Sequence, residues 1–149
     1  MNISINKLIN WSRIALGIIF IWYGMLKFFP ELSPAEDLAT MTISKLSFGC
    51  LPAYISIKLL ATWELLIGIG FLFAIYIRYT CFLFLVHMLL TFTPLLLFPD
   101  ISFSQAPFAF TLVGQYIVKN IVFILVGFMI YKNHSLEEMQ QNKIINNEE

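Results

Sequence analysis

The chain has 149 residues, of which 59% are hydrophobic and 12% charged, and its formal net charge is zero. Water-soluble domains run at about 45–50% apolar and about 25% charged, which excludes an ordinary soluble domain, and the absence of net positive charge removes any case for a nucleic-acid partner. The length suits one domain, within which four spans of about 20 residues would take more than half of the chain.

Residues 1–10 read as a short polar leader containing Lys7. The first apolar run covers about 11–29, with Arg13 and Lys27 near its ends. A basic residue ahead of an apolar core also fits a signal peptide, but no small-x-small cleavage site follows and the core runs on to about Leu26, so this is a retained first span. Residues 30–53 form a long polar connection. Within it Ser33-Pro34-Ala35-Glu36 has the capping-box pattern with proline at the first helical position. Leu38, Met41 and Leu46 then alternate with Asp37, Thr42 and Lys45, which predicts a short amphipathic helix at the membrane surface. Such a segment serves as a lid or as a spacer, and the spacer is the simpler reading.

The second span is expected over about 54–77 and the third over about 80–98, joined by a tight turn at Arg78-Tyr79 that makes them antiparallel neighbours. A second connection with two prolines follows over about 99–111, then a fourth span over about 112–131. Residues 1–132 thus make a single membrane domain, and 133–149, rich in Asn, Gln and Glu, read as a disordered polar tail. Placing both termini in the cytoplasm puts Lys7, Arg13, Arg78, Lys132 and Lys143 inside, against Lys27, Lys45 and Lys58 outside. Cys50 and Cys81 then lie near opposite faces of a core about 30 Å thick, too far apart for a disulfide. They also form no CxxC, and no metal site is expected.

Glu64 stands near the middle of the second span, where a charge costs about 2.5 kcal/mol or more and so needs a partner, a proton or a purpose. Helical spacing arranges the polar outliers into stripes. Arg13, Gly17, Gly24 and Lys27 share one face, as do Ala61, Glu64 and Gly68; Thr80, His87, Thr91 and Pro94 form a third stripe, and Gln115 and Lys119 a fourth. At about 1.5 Å per residue, Glu64, His87 and Lys119 come to similar depths, on the order of 12–16 Å below the outer boundary. The expectation is an ion pair between Glu64 and Lys119 with His87 in hydrogen-bonding reach. Gln115 and Thr91 complete the ligand or proton-relay candidates, and Arg13 and Lys27 snorkel to the headgroups. A buried pair of this kind also serves simply to fix helix register.

Three stretches resemble the DoxX family of small four-helix bacterial membrane proteins. Arg13-Ile14-Ala15-Leu16-Gly17 leading to Trp22-Tyr23-Gly24-Met25-Leu26-Lys27-Phe28 resembles its first-span signature, and Trp63-Glu64-Leu65-Leu66-Ile67-Gly68 its acidic-glycine motif. Gly114-Gln115-Tyr116-Ile117-Val118-Lys119-Asn120 resembles the start of the fourth span in one DoxX-like subgroup. The resemblance implies an all-α four-helix bundle in the bacterial plasma membrane and a link to the membrane subunit of thiosulfate:quinone oxidoreductase. The chain has no haem pair, iron–sulfur motif, flavin fingerprint or redox CxxC. Any enzymatic role implied is that of a subunit, contacting a quinone or anchoring a redox partner that holds the cofactor, with no cofactor attached covalently to this chain. A small transporter or lipid-binding protein, acting as a homo-oligomer, and a non-catalytic membrane scaffold stand as the other readings.

Overall fold

The elements follow the order α1 (Ile5–Leu26), α2 (Glu36–Leu46), α3 (Ala53–Phe73), α4 (Ile77–Thr91), α5 (Thr93–Leu97), α6 (Pro99–Ser102), β1 (Phe103–Gln105), β2 (Ala109–Phe110), α7 (Leu112–Val118) and α8 (Ile121–Glu148). The structure is a computed structural model and describes residues 4–29, 32–33 and 36–148. Four helical stretches are long and apolar enough to cross a membrane: Ile5–Leu26, Ala53–Phe73, Ile77–Leu97 and Leu112–Asn146. This is the all-α membrane bundle expected from composition and periodicity. Around the bundle the order is α1, α3, α4, α8, and α8 closes back onto α1.

Glycines set the closest of these contacts. A Cβ added at Gly17 would come within 2.8 Å of the Leu72 backbone nitrogen, and one at Gly68 within 2.7 Å of the Ile21 nitrogen. Helices α1 and α3 therefore approach backbone to backbone, as small residues permit in a membrane where no hydrophobic effect drives helices together. Beside this seam Leu16, Phe20, Ile67, Phe71, Phe84 and Met88 form the core. Phe84 meets Phe20 and Phe71 edge-on at centroid distances of 5.3 and 5.2 Å.

Several boundaries differ from expectation. The turn between the second and third spans lies at Ala74–Tyr76, not Arg78-Tyr79, and Arg78 and Tyr79 sit in the first turn of α4. Ala74 and Tyr76 both take left-handed backbone conformations, with φ of 57° and 44°. The turn is fixed by Gly70, whose carbonyl accepts from the Ala74 and Ile75 amides, and by the Thr80 hydroxyl donating to Ile75 O at 2.9 Å. The two helices remain antiparallel neighbours. The third span breaks at Phe92 because Pro94 has no amide to continue the ladder; the Thr93 hydroxyl donates instead to the Leu90 carbonyl at 2.7 Å.

The second connection is not a plain loop. It folds as α6 and a two-stranded antiparallel hairpin, in which Phe103 and Phe110 pair with ring centroids 4.9 Å apart. Thr111 caps α7, its hydroxyl accepting from the Gly114 amide at 3.2 Å and donating to Ile101 O at 2.6 Å. Residues 133–148, expected to be disordered, continue α8 as helix. Glu, Gln, Lys, Met and Leu are good helix formers, and the turn is secured by Asn133 donating to Glu137, His134 against Glu138, and an Arg78–Glu138 ion pair to α4. The predicted amphipathic helix exists as α2, which packs on α3 and α5. The Glu36 amide donates to Ser33 O at 3.1 Å, while Pro34 and Ala35 of the expected capping box lie outside the described residues.

Candidate functional site

Glu64 is buried at 7% relative exposure about eleven residues into α3, on the face that also carries Ala61 and Gly68. Gly24 opens α1 toward it: a Cβ at Gly24 would lie 3.2 Å from the Glu64 Cβ. One turn further along α1, Lys27 is equally buried at 6%, and its Nζ lies 2.6 Å from Glu64 Oε2. The partner of Glu64 is therefore Lys27, and the expected pair with Lys119 is not formed. From α4, His87, exposed by 5%, brings Nε2 to 3.2 Å from Glu64 Oε1.

Two geometric facts explain the choice of Lys27. Gly24, in the last turn of α1, lies against Ala61, Glu64 and Leu65, so a residue roughly 16 Å from the start of α3 is level with the end of α1. In addition, Cα–Cβ bonds tilt toward a helix N-terminus, so a long side chain at the C-cap of α1 reaches back into the bundle rather than outward to headgroups. Lys27 Nζ also lies 3.4 Å from Tyr23 O, one turn back. A lysine and a carboxylate at 2.6 Å form a charge-assisted hydrogen bond and together carry no net charge, which makes both tolerable inside a bilayer.

The remaining candidates do not join them. Lys119 is exposed at the C-cap of α7, its Nζ 4.2 Å from the centre of the Tyr116 ring, and Gln115 is exposed as well. The reason lies in which face α7 buries: Gly114 packs against the Ser102 carbonyl and Ile117 points inward, which turns Gln115 and Lys119 away. The helix is also interrupted between Val118 and Ile121, so the stripe does not continue. Thr91, half-buried, donates to Met88 O at 2.6 Å and is occupied locally. Arg13 is not a headgroup anchor: its guanidinium donates to the carbonyls of Phe71 and Leu72 and so caps the C-terminus of α3.

The polar accounting of the triad is incomplete at one atom. Glu64 uses both oxygens, on Lys27 and on His87, whereas His87 Nδ1 is buried with no partner. Trp63 Nε1 is likewise buried and unpartnered, and the Trp63 and His87 rings meet edge-on at 5.8 Å. Phe20 closes the other side of the imidazole at 5.4 Å. In the sequence Trp63 stands out only as the first residue of the Trp63-Glu64 motif, and helical spacing alone places it on a different face from Glu64. Among the described residues no three His, Cys, Asp or Glu side chains come together as a metal site.

Fold and site together define a four-span integral membrane bundle whose first three spanning helices are joined by one buried lysine–carboxylate–histidine cluster. The sequence model of the DoxX family matches residues 8–99, and the chain belongs to that family. The matched region holds Lys27, Glu64 and His87 and ends before Gln115 and Lys119. Among curated proteins and solved structures none matches the chain.

Proposed function

We propose that this DoxX protein is the quinone-contacting or anchoring subunit of a membrane redox system, with Lys27, Glu64 and His87 as the polar end of a headgroup site and a partner protein holding the redox cofactor. The observation that carries the reading is the unpartnered His87 Nδ1, held within the bundle by a carboxylate that is itself neutralised by Lys27. A polar atom buried without a partner costs free energy, which a bound ligand would recover. The proposed location is the bacterial plasma membrane with both termini cytoplasmic. Lys7, Arg78, Lys132 and Lys143 then join Arg13 on the inner side, against Lys45, Lys58 and Lys119 once Lys27 is committed to Glu64.

The test is titration of the purified protein in lipid nanodiscs with ubiquinone and menaquinone analogues. The reading expects saturable binding that His87→Phe weakens and Lys119→Met leaves intact. No saturable binding of either analogue, oxidised or reduced, would remove it. One observation favours the alternative of a non-catalytic scaffold. The surface recesses of about 410 Å³ beside Lys45 and Phe98 and about 120 Å³ beside Arg13 and His134 are not lined by the triad, whose ion pair already ties α1 to α3. A protein that binds no quinone yet loses assembly with its partner on Glu64→Gln would be such a scaffold.

A further inference from the structure

We infer that the recess of about 120 Å³ beside the Ala74–Tyr76 turn is a headgroup site for a phospholipid of the phosphatidylethanolamine class. The lipid phosphate sits on Arg13 and its ammonium on Glu137. The site lies outside the Lys27–Glu64–His87 cluster and stands or falls independently of the quinone-contacting reading. The recess is lined by α1, by Ala74 and Ile77 around the turn, and by α8. Its polar residues are Asn10, Arg13, Asn133, His134 and Glu137. A carboxamide one turn away orients each of the two charges: Asn10 Oδ1 accepts from Arg13 Nε at 3.2 Å, and Asn133 Nδ2 donates to Glu137 Oε1 at 2.8 Å. Arg13 spends Nη1 on the Phe71 and Leu72 carbonyls. Arg13 Nη2 and Glu137 Oε2 make no hydrogen bond among the described residues.

Neither Arg13 nor Glu137 belongs to an ion pair among the described residues, since His134 and Arg78 both turn to Glu138. A cation and an anion that line one cavity without meeting each other are the complement of a ligand carrying both charges. Both are within reach of such a ligand, Arg13 being half-buried and Glu137 exposed. The cap on α3 keeps the guanidinium from reaching out to the headgroup layer, so the headgroup has to come in to it. The level of the recess points to lipid. It lies where α3 ends and α4 begins, and the exposed Trp11, Tyr76, Tyr79 and Tyr131 stand on α1, the turn, α4 and α8 at that end, as an aromatic belt does at a headgroup layer. The rest of the lining is apolar, Ile130 included, which suits a charged head that continues into hydrocarbon. An ethanolamine ammonium donates hydrogen bonds to a carboxylate. A choline group carries the charge but no N–H, and a glycerol headgroup brings only the phosphate, which Glu137 repels.

The test titrates the full chain in detergent micelles with phosphatidylethanolamine, phosphatidylcholine and phosphatidylglycerol of identical acyl chains, and native mass spectrometry counts the bound lipid. Phosphatidylethanolamine should bind about tenfold more tightly than either of the others, the value of one hydrogen bond to a charged group. Glu137→Gln should level the three lipids, and Glu137→Asp, which keeps the carboxylate, should retain part of the preference. Because Glu137 is exposed, both variants should unfold at the parent's temperature, which thermal scans check. Water-soluble glycerophosphoethanolamine, the same headgroup without acyl chains, should not displace the lipid at matching concentration; displacement there would make the ligand a soluble zwitterion and overturn the lipid assignment. Equal binding of the three lipids by the parent overturns the inference. So does tighter binding of phosphatidylglycerol, or a preference for phosphatidylethanolamine that survives Glu137→Gln.

Discussion

Lys27 and Lys119 both stand at the C-terminal end of a helical segment in an apolar chain, and the two ends treat the charge in opposite ways. Lys27 is drawn inside onto Glu64, while Lys119 stays exposed over the Tyr116 ring. Position at a C-cap does not by itself separate them. What does is the neighbouring glycine: Gly24 faces Glu64 and lets α1 close on it, whereas Gly114 faces the Ser102 carbonyl and holds α7 against its own preceding connection. An ion pair in a membrane bundle forms where the backbones come close enough for both charges to leave lipid together.

The comparison is broken most severely at Glu64. Glu64→Gln leaves the Lys27 ammonium buried without a counter-charge, and the expected loss is about 3–5 kcal/mol of stability, read as unfolding of the purified protein in detergent. Next comes the seam that makes the pair possible. Gly17→Val puts a side chain against the α3 backbone, with an expected loss of about 1–3 kcal/mol and a weaker Lys27–Glu64 pair, visible in the same unfolding curves. Arg13→Gln removes the cap on the α3 carbonyls, costing about 1–2 kcal/mol, and amide hydrogen exchange should rise locally at Ala74–Tyr76. Lys119→Met should change stability by less than about 0.5 kcal/mol, as exposed substitutions do. If Lys119→Met matched Glu64→Gln in effect, the contrast between the two lysines would collapse.

The sequence carried the spans, the glycine stripes and the demand that Glu64 find a partner, because a carboxylate in an apolar run and small residues at helical spacing are visible without coordinates. His87 was legible for the same reason. The identity of the cation was not. Counting residues from each span's end assumes that all helices start at one level, and the offset between α1 and α3 breaks that assumption. The fourth-span stripe failed because period alone cannot say which face Gly114 and Ile117 claim. Tertiary packing also set the turn at Ala74–Tyr76, where neither left-handed residue is a glycine, so no turn residue marked it. The helical continuation past Lys132 was hidden by asparagine-rich composition, although Asn133 and Glu137, and His134 and Glu138, stand four residues apart and pair on the helix.

The most direct measurement is a double-mutant cycle on Lys27 and Glu64. Stability of the parent, Lys27→Met, Glu64→Gln and the double variant is compared in the same detergent. A buried ion pair predicts that the double variant is more stable than either single change, with a coupling of about 2 kcal/mol or more, because neither charge is then left alone. Two single losses that add to within about 0.5 kcal/mol would show that Lys27 and Glu64 are not partners.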